Sequence, residues 1–585
     1  MGMRNYSPHR GMLVPFDRNF FSSDHKFTYM GRGELGGKAH GLSEMKGILE
    51  SEIGGKYAPG LKVYIPTLTV ITTEYFDLFM KENDLYPVAL SGKRDELIAH
   101  AFQRAHLPVR LVGDLRALVS EVHTPLAIRS SSMLEDAMFE PFASVYSTKM
   151  IPNNLPGVDT RFRKLVEAVK YVYASTFFRG ARNYMKATHH STLDEKMAVI
   201  IQEVVGARFG DRFYPHISGV VRSYNFYPTG NASPEDGVVD LALGLGRTIV
   251  DEGVAWSYSP RFPKAGAPFN SISDMLKNTQ TGFWAVDMKG PAVFDPLNET
   301  EYMDRYDLGD AEYDGTLKHI ASTLDPQDGR IVMGTGIKGP RVLDFAPILK
   351  AGVIPLNDLV KTLLKVCEDS LGVMVEIEFA VRLDPRGGSS GEFGFLQIRP
   401  MVVSESRVEL EKSEIKGDNV LFSSERVLGN GVLDSIRDIV FVDPESFDVD
   451  KTREIAKEVE SINETLVGEG REYILIGFGR WGTSDPSGGI PVKFDQISGA
   501  KVIVESSLPG LTCPLSQGSH FFHNVTSFKI FYFSLGAGDE CGIDWSWLRA
   551  NNVINETEHL KHVRASSPLT VKVDGRKSRG AVLHG

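Results

Sequence analysis

Two acidic residues, an amide and an arginine recur at alternate positions in the middle of the chain. Glu376 and Glu378 lie two residues apart, and Gln397 and Arg399 repeat that spacing further along. Side chains two apart on a β-strand share a face, so each pair would point to one side. A hard divalent cation prefers oxygen ligands, and the fork of an arginine matches a phosphate. If their polar faces meet, the four residues could hold magnesium–nucleotide phosphates.

The segment around these residues predicts a β-hairpin, which would bring the two pairs together. The pattern alternates from Val373 to Val381 and again from Phe393 to Ile398, and residues 384–391 between them are rich in turn formers. Alternation of this kind is also typical of a hairpin that simply faces solvent. The spacing alone therefore does not decide between a binding site and a solvated surface.

A glycine-rich turn near the start of the chain is a second candidate for anion binding. Gly36, Gly37 and Lys38 lead into a predicted helix whose apolar face includes Leu42 and Met45. Backbone N–H groups at such a turn, with a lysine beside them, can bind phosphate. The spacing is not that of a Walker P-loop, and glycine turns before helices are often purely structural.

A third candidate is the arginine in the stretch PLAIRSSSMLED. Arg129 follows the short predicted strand Leu126–Ile128 and precedes three serines, which suits phosphate contact. The alternative is a surface ion pair between Arg129 and Glu135, which would contribute little. The apolar strand MAVIIQEVV ends in a less regular segment at Gln202, where backbone groups could face a purine edge.

Length and composition are those of a globular protein with several domains. The chain has 585 residues, 42% of them hydrophobic and 24% charged, which is ordinary for soluble proteins. The net charge of −11 argues weakly against a nucleic-acid partner. No apolar run reaches membrane-spanning length, and three widely spaced cysteines suit a reducing compartment. We therefore expect a cytoplasmic protein with no membrane or nucleic-acid partner.

The last third of the chain carries weaker signals. Residues 404–420 are charged and poor in apolar residues, which indicates a linker. The sequence GFGRWG at 477–482 resembles a dinucleotide fingerprint, but Pro486 and the glycines after it forbid the required helix, so a Rossmann site is rejected. His520 and His523 could meet a metal, and the alternative is an ordinary loop histidine.

Four stretches in order resemble the nucleotide-binding half of the phosphoenolpyruvate synthase and pyruvate phosphate dikinase family. They are GGKAHGL, AIRSSSMLED, IQEVV with SGVV, and EIEFA with LQIRPM, spread over residues 30–403. The resemblance implies an α/β (α+β) fold, a two-lobed ATP-grasp followed by a smaller C-terminal α/β domain. The implied division is a leader at 1–30, lobes at 31–215 and 216–403, a linker at 404–420 and a domain at 421–585. That last domain is a candidate for a degenerate phosphohistidine-type swivelling domain.

The resemblance implies ATP and Mg²⁺ as cofactors and gives roles to the residues above. Lys38, with Gly36 and Gly37, would contact the ATP phosphates, and Arg129 would do so from the opposite lobe. The residues implied beside the adenine are Gln202, Glu203 and Val205.

The hairpin residues receive the metal and transfer roles. Glu378 and Gln397 would hold magnesium, and Arg399 would stabilise the transferred phosphoryl group. Glu376 would either bind a second metal ion or contact and orient a ligand of the first metal ion. Such roles fit phosphoryl transfer by positioning and charge neutralisation.

The chain departs from the family in three places. Arg247 stands after Gly-Leu-Gly where family members usually carry a glutamate, and the family's phosphoenolpyruvate-binding barrel is missing. The family's phosphohistidine signature is reduced to a small-residue turn before His520. Pyruvate or phosphoenolpyruvate as a substrate therefore does not follow.

The preferred hypothesis is a cytoplasmic ATP- and Mg²⁺-dependent phosphotransferase of dikinase type, with an unknown acceptor and His520 as a candidate phosphoryl carrier. One alternative is an ATP-binding regulatory or scaffold protein that has lost turnover. Another is a kinase of an antibiotic or glycan. The chain could assemble as a homodimer, but the sequence does not specify the oligomeric state.

Overall fold

The computed structural model describes most of the chain. The described residues are 13–19, 26–53, 60–135, 145–187, 191, 195–228, 230–250, 254–265, 272–277, 279–290, 295–384, 390–401, 408, 410–411, 414–417, 419–483, 488–508, 530–536 and 542–585. His520 and His523, with the metal and phosphohistidine predictions made for them, lie outside these residues. The predicted mixed α/β class is confirmed.

The first sheet has the strand Met197–Glu203 at its centre. Its strands, in spatial order, are Val14–Pro15, Phe27–Met30, Leu68–Ile71, Met197–Glu203, Leu126–Ser132 and Thr148–Ile151. The central strand is antiparallel to both neighbours. Because it is apolar along almost its whole length, it can be buried on both faces, as it is here.

Amphipathic helices cover this sheet. In the first part of the chain they are Gly37–Ile48, Thr73–Glu82, Tyr86–Ala89, Asp95–Arg104, Val109–Glu121, Val158–Ser175 and Arg179–Ala187, with a π-helix at Leu49–Ile53. Aromatic side chains fill the space between them, with ring centroids 5.2 Å apart for Phe76 and Tyr173. The helix at 37–48 buries Leu42 and Met45, as its periodicity predicts.

The second sheet contains the predicted hairpin. Its strands, in spatial order, are Trp256–Tyr258, Val238–Ala242, Ile217–Arg222, Val375–Leu383, Gly391–Pro400 and Leu61–Tyr64. The hairpin prediction is confirmed, with strands at Val375–Leu383 and Gly391–Pro400 that we call the 375–400 hairpin. The helix Leu356–Leu371 buries its apolar face and leads into the hairpin.

One strand crosses from the first part of the chain into the second sheet. The sequence predicts a single strand over residues 64–72, but the structure divides this segment into Leu61–Tyr64 and Leu68–Ile71. Pro66 lies between them, and a proline cannot donate a ladder hydrogen bond. Leu61–Tyr64 pairs in parallel with Gly391–Pro400, the second strand of the 375–400 hairpin. The lobe boundary expected between residues 215 and 216 stays a prediction.

Smaller elements surround the second sheet. One small sheet has the strand order Met303–Asp307, Gly282–Asp287, Arg212–Tyr214 and Ala207–Phe209, and another has Ile331–Met333, Ser322–Leu324 and Arg341–Val342. The α-helices here are Arg247–Val250, Ile272–Lys277, Leu308–Tyr313 and Ala346–Leu349, with 3₁₀ turns at Pro234–Asp236 and Leu317–His319.

The C-terminal region is built on a sheet with a parallel centre. The strand order is Val427–Leu428, Phe531–Leu535, Ala500–Ser506, Tyr473–Phe478, Asp438–Val442, Leu560–Arg564 and Asn552–Glu556. The helix Thr452–Gly468 connects two of the parallel strands and packs on one face of the sheet. A second sheet covers the other face, with strands Val420–Ser424, Arg579–Leu583, Thr570–Asp574 and Gly431–Leu433.

The remaining C-terminal elements are short. They are the paired strands Arg480–Trp481 and Gly489–Ile490, the α-helix Trp545–Ala550, and 3₁₀ turns at Val449–Lys451 and Phe494–Ile497. After Phe478 the chain continues into the two-residue strand Arg480–Trp481, where a dinucleotide fingerprint would begin a helix.

The C-terminal region packs against the helix Arg179–Ala187. Arg179 forms ion pairs with Glu460 and Glu464, both at 2.6 Å, and the rings of Tyr184 and Phe494 lie 6.3 Å apart. In the described parts of the chain, every helix is too short or too polar to cross a membrane.

Candidate active site

The 375–400 hairpin brings its polar residues together as the spacing predicts. Glu376 is paired with Arg399 and Glu378 with Gln397 across the two antiparallel strands. The register shifts between Glu378 and Phe379, which is a β-bulge directly beside this group. Bulges are frequent next to functional sites, where they change the direction of a side chain.

Glu376 lies between two arginines. Its Oε1 accepts a hydrogen bond from Nε of Arg399, and its Oε2 accepts one from Nε of Arg222, both at 2.6 Å. The side chain of Glu376 is only 3% exposed. Burial lowers the pKa of Arg222, but Glu376 and Asp240 outweigh this effect and raise it overall. Glu376 thus holds Arg399 in place, and a role as a metal ligand stays a prediction.

Glu378 is the more accessible carboxylate of the pair. Its side chain is 18% exposed, and its oxygens lie 3.9 Å from Arg129 and 3.7 Å from Arg399. These distances are too long for direct hydrogen bonds but short enough for electrostatic attraction. Glu378 therefore lies between two cationic side chains without a close ion pair to either of them.

Arg129 links the first sheet to the hairpin. Its guanidinium donates to Oε1 of Gln202 at 3.1 Å, to the carbonyl oxygen of Leu396 at 3.0 Å and to Oε1 of Gln397 at 2.5 Å. The sequence left a surface ion pair between Arg129 and Glu135 as the alternative interpretation. That alternative is wrong, because Glu135 forms its ion pair with Lys38. Arg129, the residue that is predicted to contact phosphate, therefore lies where the first and second sheets meet.

The segment predicted beside the adenine lies at the same junction. Gln202 is buried, and its Nε2 has no hydrogen-bond acceptor among the described residues. Glu203 accepts a hydrogen bond from the hydroxyl of Thr124 at 2.8 Å. A Cβ added to Gly394 would lie 2.5 Å from Val205, so this strand end packs directly against the hairpin.

Lys38 lies in a small polar cluster at the end of the strand Leu126–Ser132. Its Nζ is 2.7 Å from Oε1 of Glu135 and 3.2 Å from the hydroxyl of Ser130. The other oxygen of Glu135 accepts from the backbone N–H of Ser132 at 2.8 Å. The lysine is therefore held by a carboxylate that is itself fixed by the strand end.

Gly36 and Gly37 allow the helix that carries Lys38 to approach this strand end closely. Gly36 has φ of +76°, and a Cβ there would lie 1.7 Å from the carbonyl oxygen of Ser131. A Cβ at Gly37 would lie 1.8 Å from the carbonyl oxygen of Glu135. Both positions require glycine for packing, whatever they contribute to anion binding.

We expect Gly36→Ala to lower the free energy of unfolding by more than about 2 kcal/mol, because strain at positive φ is added to a backbone clash. Gly92→Ala is the matched control, since Gly92 also has positive φ (+69°) but nothing within 4 Å of its Cβ position. Its loss should be about 1 kcal/mol. Urea unfolding measures both, and equal losses would contradict the close approach.

A second buried carboxylate, Glu195, supports the turn beside Lys38. It accepts hydrogen bonds from the backbone N–H groups of Met133 and Lys196 and from the hydroxyl of Tyr146, all at 3.1 Å. Burial is the main cause that raises the pKa of Glu195 to about 7, and the nearby charge of Glu135 adds to it.

This pKa predicts a pH dependence of stability. Between pH 4.5 and about 7 the folded protein keeps a proton on Glu195 that the unfolded chain releases, so raising the pH favours unfolding. We expect this carboxyl group to remove up to about 3 kcal/mol of stability over that range. Glu195→Gln should abolish this loss and be more stable than the original protein at pH 8. Urea unfolding at pH 5 and pH 8 tests it, and identical pH profiles would refute it.

Some residues of this region escaped the sequence analysis. Arg222 and Asp240 were missed, although each is a charged residue on an otherwise apolar strand, which was a usable signal. Glu195 carries no local signal of this role, because two of the three partners named above, Met133 and Tyr146, are far away in the sequence. Arg247, the departure from the family pattern, lies over the ring of Trp284 at 5.5 Å.

The donor set fits a magnesium ion that is shared with phosphates. Mg²⁺ in nucleotide sites takes one or two protein oxygens and completes its shell with water and phosphate. Glu378 and Gln397 offer a carboxylate and an amide oxygen side by side across the hairpin. In the described ranges no three His, Cys, Asp or Glu residues gather to form an all-protein metal site.

Comparison with known proteins finds a family model that matches most of the chain. Residues 32–419 match the model of the family described as the AMP/ATP-binding domain of pyruvate phosphate dikinase. A search of curated proteins finds no match for the chain. The matched range contains the four motif stretches and every candidate residue of the site except His520.

Proposed function

Because the chain belongs to the family of the AMP/ATP-binding domain of pyruvate phosphate dikinase, we propose that it is an ATP- and Mg²⁺-dependent phosphotransferase of dikinase type. The observation that carries this proposal is the meeting of Arg129 with Gln397 and Glu378 at the junction of two sheets. A carboxylate, an amide oxygen and guanidinium groups collected there suit a metal-bound triphosphate.

In this proposal the purine lies against the strand end at 202–205. The amide nitrogen of Gln202 is buried without an acceptor among the described residues, and a ring nitrogen of adenine would supply one. The triphosphate then extends toward Lys38 and Arg129. Both side chains exchange protein contacts for phosphate contacts: Lys38 leaves Glu135, and Arg129 leaves Gln397.

Glu378 and Gln397 are the residues that would hold magnesium. When bound, the metal neutralises negative charge on the phosphate oxygens. In this proposal Gln397 exchanges its contact with Arg129 for the metal, so phosphate capture by the arginine and metal capture by the glutamine are coupled. Arg399, fixed by Glu376, carries the positive charge that stabilises the transferred phosphoryl group.

The acceptor is the least constrained part of the proposal. His520 as a phosphoryl carrier rests on local sequence similarity alone, and direct transfer to an unidentified acceptor is the alternative. Cytoplasmic location and homodimer assembly also stay predictions from the sequence.

The test uses ATP labelled separately at the β and γ positions, with Mg²⁺ and the full-length chain. Steady release of AMP or ADP supports a phosphotransferase, and AMP in particular supports dikinase chemistry. Acid-labile label on the protein that is lost in His520→Ala supports a phosphohistidine. Equal labelling of the original protein and His520→Ala removes that step, and ATP binding with neither released product nor labelled protein removes a phosphotransferase that acts without a separate acceptor.

An ATP-binding regulatory protein is the second candidate. It is favoured by Lys38 and Arg129, which both have close protein partners, and by Arg247 in place of the family's usual glutamate. The product assay above separates it from the phosphotransferase. A kinase of an antibiotic or glycan stays a prediction.

A further inference from the structure

A hydrogen-bonded row of polar side chains crosses the second sheet and ends at Arg399. Ser257 donates to Asp240, and Arg222 donates to the other oxygen of Asp240 at 2.8 Å. Arg222 also donates to Glu376 at 2.6 Å, and Arg399 donates to Glu376 at 2.6 Å. Each of the five residues comes from a different strand. We call this set the polar row.

Strand pairing explains why these side chains meet. Ser257 is opposite Asp240, Arg222 is opposite Glu376, and Glu376 is opposite Arg399. Asp240 is opposite Val220, two residues before Arg222, so the arginine reaches it diagonally. Directly opposite and diagonal neighbours on one face of a sheet are close enough for long side chains to touch.

The row alternates in charge and is buried. Asp240, Arg222, Glu376 and Arg399 are each 3% exposed. A buried row of charges is not explained by stability, because well-packed apolar residues of similar volume are often equally stable or better. Its two ends differ: Ser257 is an uncharged hydroxyl, and Arg399 is a charged group beside Glu378. The orientation of Arg399 is therefore the property that the row can control.

We propose that Arg222 and Asp240 are positioning residues for Arg399, acting through Glu376. This inference rests on the proposed function, because it assumes that Arg399 serves a bound triphosphate. Arg222 holds Oε2 of Glu376, which leaves Oε1 for Arg399. Without Arg222, Glu376 can turn, and Arg399 can move onto Glu378, which is only 3.7 Å away. Arg399, which is proposed to face the phosphate, and Glu378, which is proposed to hold the metal, would then neutralise each other's charge.

The test compares the binding of ATP and of AMP, each with Mg²⁺, to the full-length chain. In Arg222→Met we expect the Kd for ATP to rise about 10- to 100-fold, as for a lost charge-assisted contact, and the Kd for AMP to change less than about twofold. Arg222→Lys should recover part of the affinity. Asp240→Asn and Ser257→Ala should show progressively smaller losses, because they lie further from Arg399.

Arg212→Met is the matched control. Arg212 is another largely buried arginine with two acidic partners, Asp310 at 2.9 Å and Asp314 at 2.7 Å, but it belongs to a different sheet. Arg212→Met should leave the affinities for ATP and for AMP unchanged, although it removes comparable ion pairs. Ser257→Ala, which removes one hydroxyl, keeps the test available if Arg222→Met does not fold.

A double-substitution cycle with Arg399→Met gives the decisive readout. If the polar row acts through Arg399, Arg222→Met should have no further effect on ATP affinity once Arg399 is replaced. Additive effects, or equal weakening of ATP and AMP, would overturn the inference and leave the row a structural feature. Absence of ATP binding by the unaltered chain would overturn the proposed function itself, and with it the inference. ATP binding without turnover would remove only the phosphotransferase.

Discussion

Replacing Glu378 with glutamine is expected to reduce the rate of ATP turnover by about 10²- to 10³-fold at saturating Mg²⁺. Glutamine keeps the size of the side chain but removes the negative charge that the metal requires. It should also raise the Mg²⁺ concentration for half-maximal rate by at least about tenfold. The fold should survive, because Glu378 is partly exposed and its distances to Arg129 and Arg399 exceed hydrogen-bond range.

Glu392→Gln is the control for this substitution. Glu392 lies on the same strand as Gln397, near the turn of the hairpin, and pairs with Arg382 at 2.9 Å. The same chemical change there should leave turnover and Mg²⁺ dependence within about twofold. An equal effect of the two substitutions would mean that the hairpin is sensitive to any lost charge, and Glu378 would lose its assigned role. The measurement is the steady-state release of AMP or ADP as a function of Mg²⁺ concentration.

Replacing Glu376 with glutamine is expected to lower the free energy of unfolding by about 3–5 kcal/mol, because two buried guanidinium groups lose their shared negative partner. The oxygens of Glu376 separate Arg222 from Arg399, and both arginines are buried. An amide can accept from one of them but presents an N–H group to the other. Urea unfolding of the two proteins at neutral pH measures the loss directly.

Glu312→Gln provides the comparison at a half-exposed site. Glu312 binds Arg341 through two hydrogen bonds, at 3.0 Å and 2.5 Å, but its side chain is 44% exposed. Solvent can replace the lost contact there, so the expected loss is below about 1 kcal/mol. If the two losses were similar, burial would not be the reason for the importance of Glu376.

The hairpin could be predicted from the sequence because its signal is local. A period of two residues identifies the strands, and the same period places Glu378 and Gln397 on one face. The register follows once the turn between the strands is located, since each residue then has one partner. The order of four weak motifs was enough to indicate the family, which the match over residues 32–419 confirms.

The contacts around the site could not be predicted, because they depend on tertiary structure. Arg129 reaches Gln397 on another sheet rather than Glu135, and its contact with phosphate stays a prediction. Lys38 meets Glu135 only because Gly36 allows a helix to approach a strand end closely. No spacing rule applies to such pairs. The C-terminal predictions for His520 concern residues outside the described structure and stay predictions.

The strand Leu61–Tyr64 has a consequence for how the chain is made. Leu61 pairs with Gly391, about 330 positions later, so this strand leaves the ribosome long before its partner. At about 5–20 residues per second, translation of that interval takes roughly 15 to 65 seconds. Throughout that time the newly made segment lacks its native strand partner. Nascent chains stalled before residue 391 should therefore be more open to protease near residue 61 than the released chain.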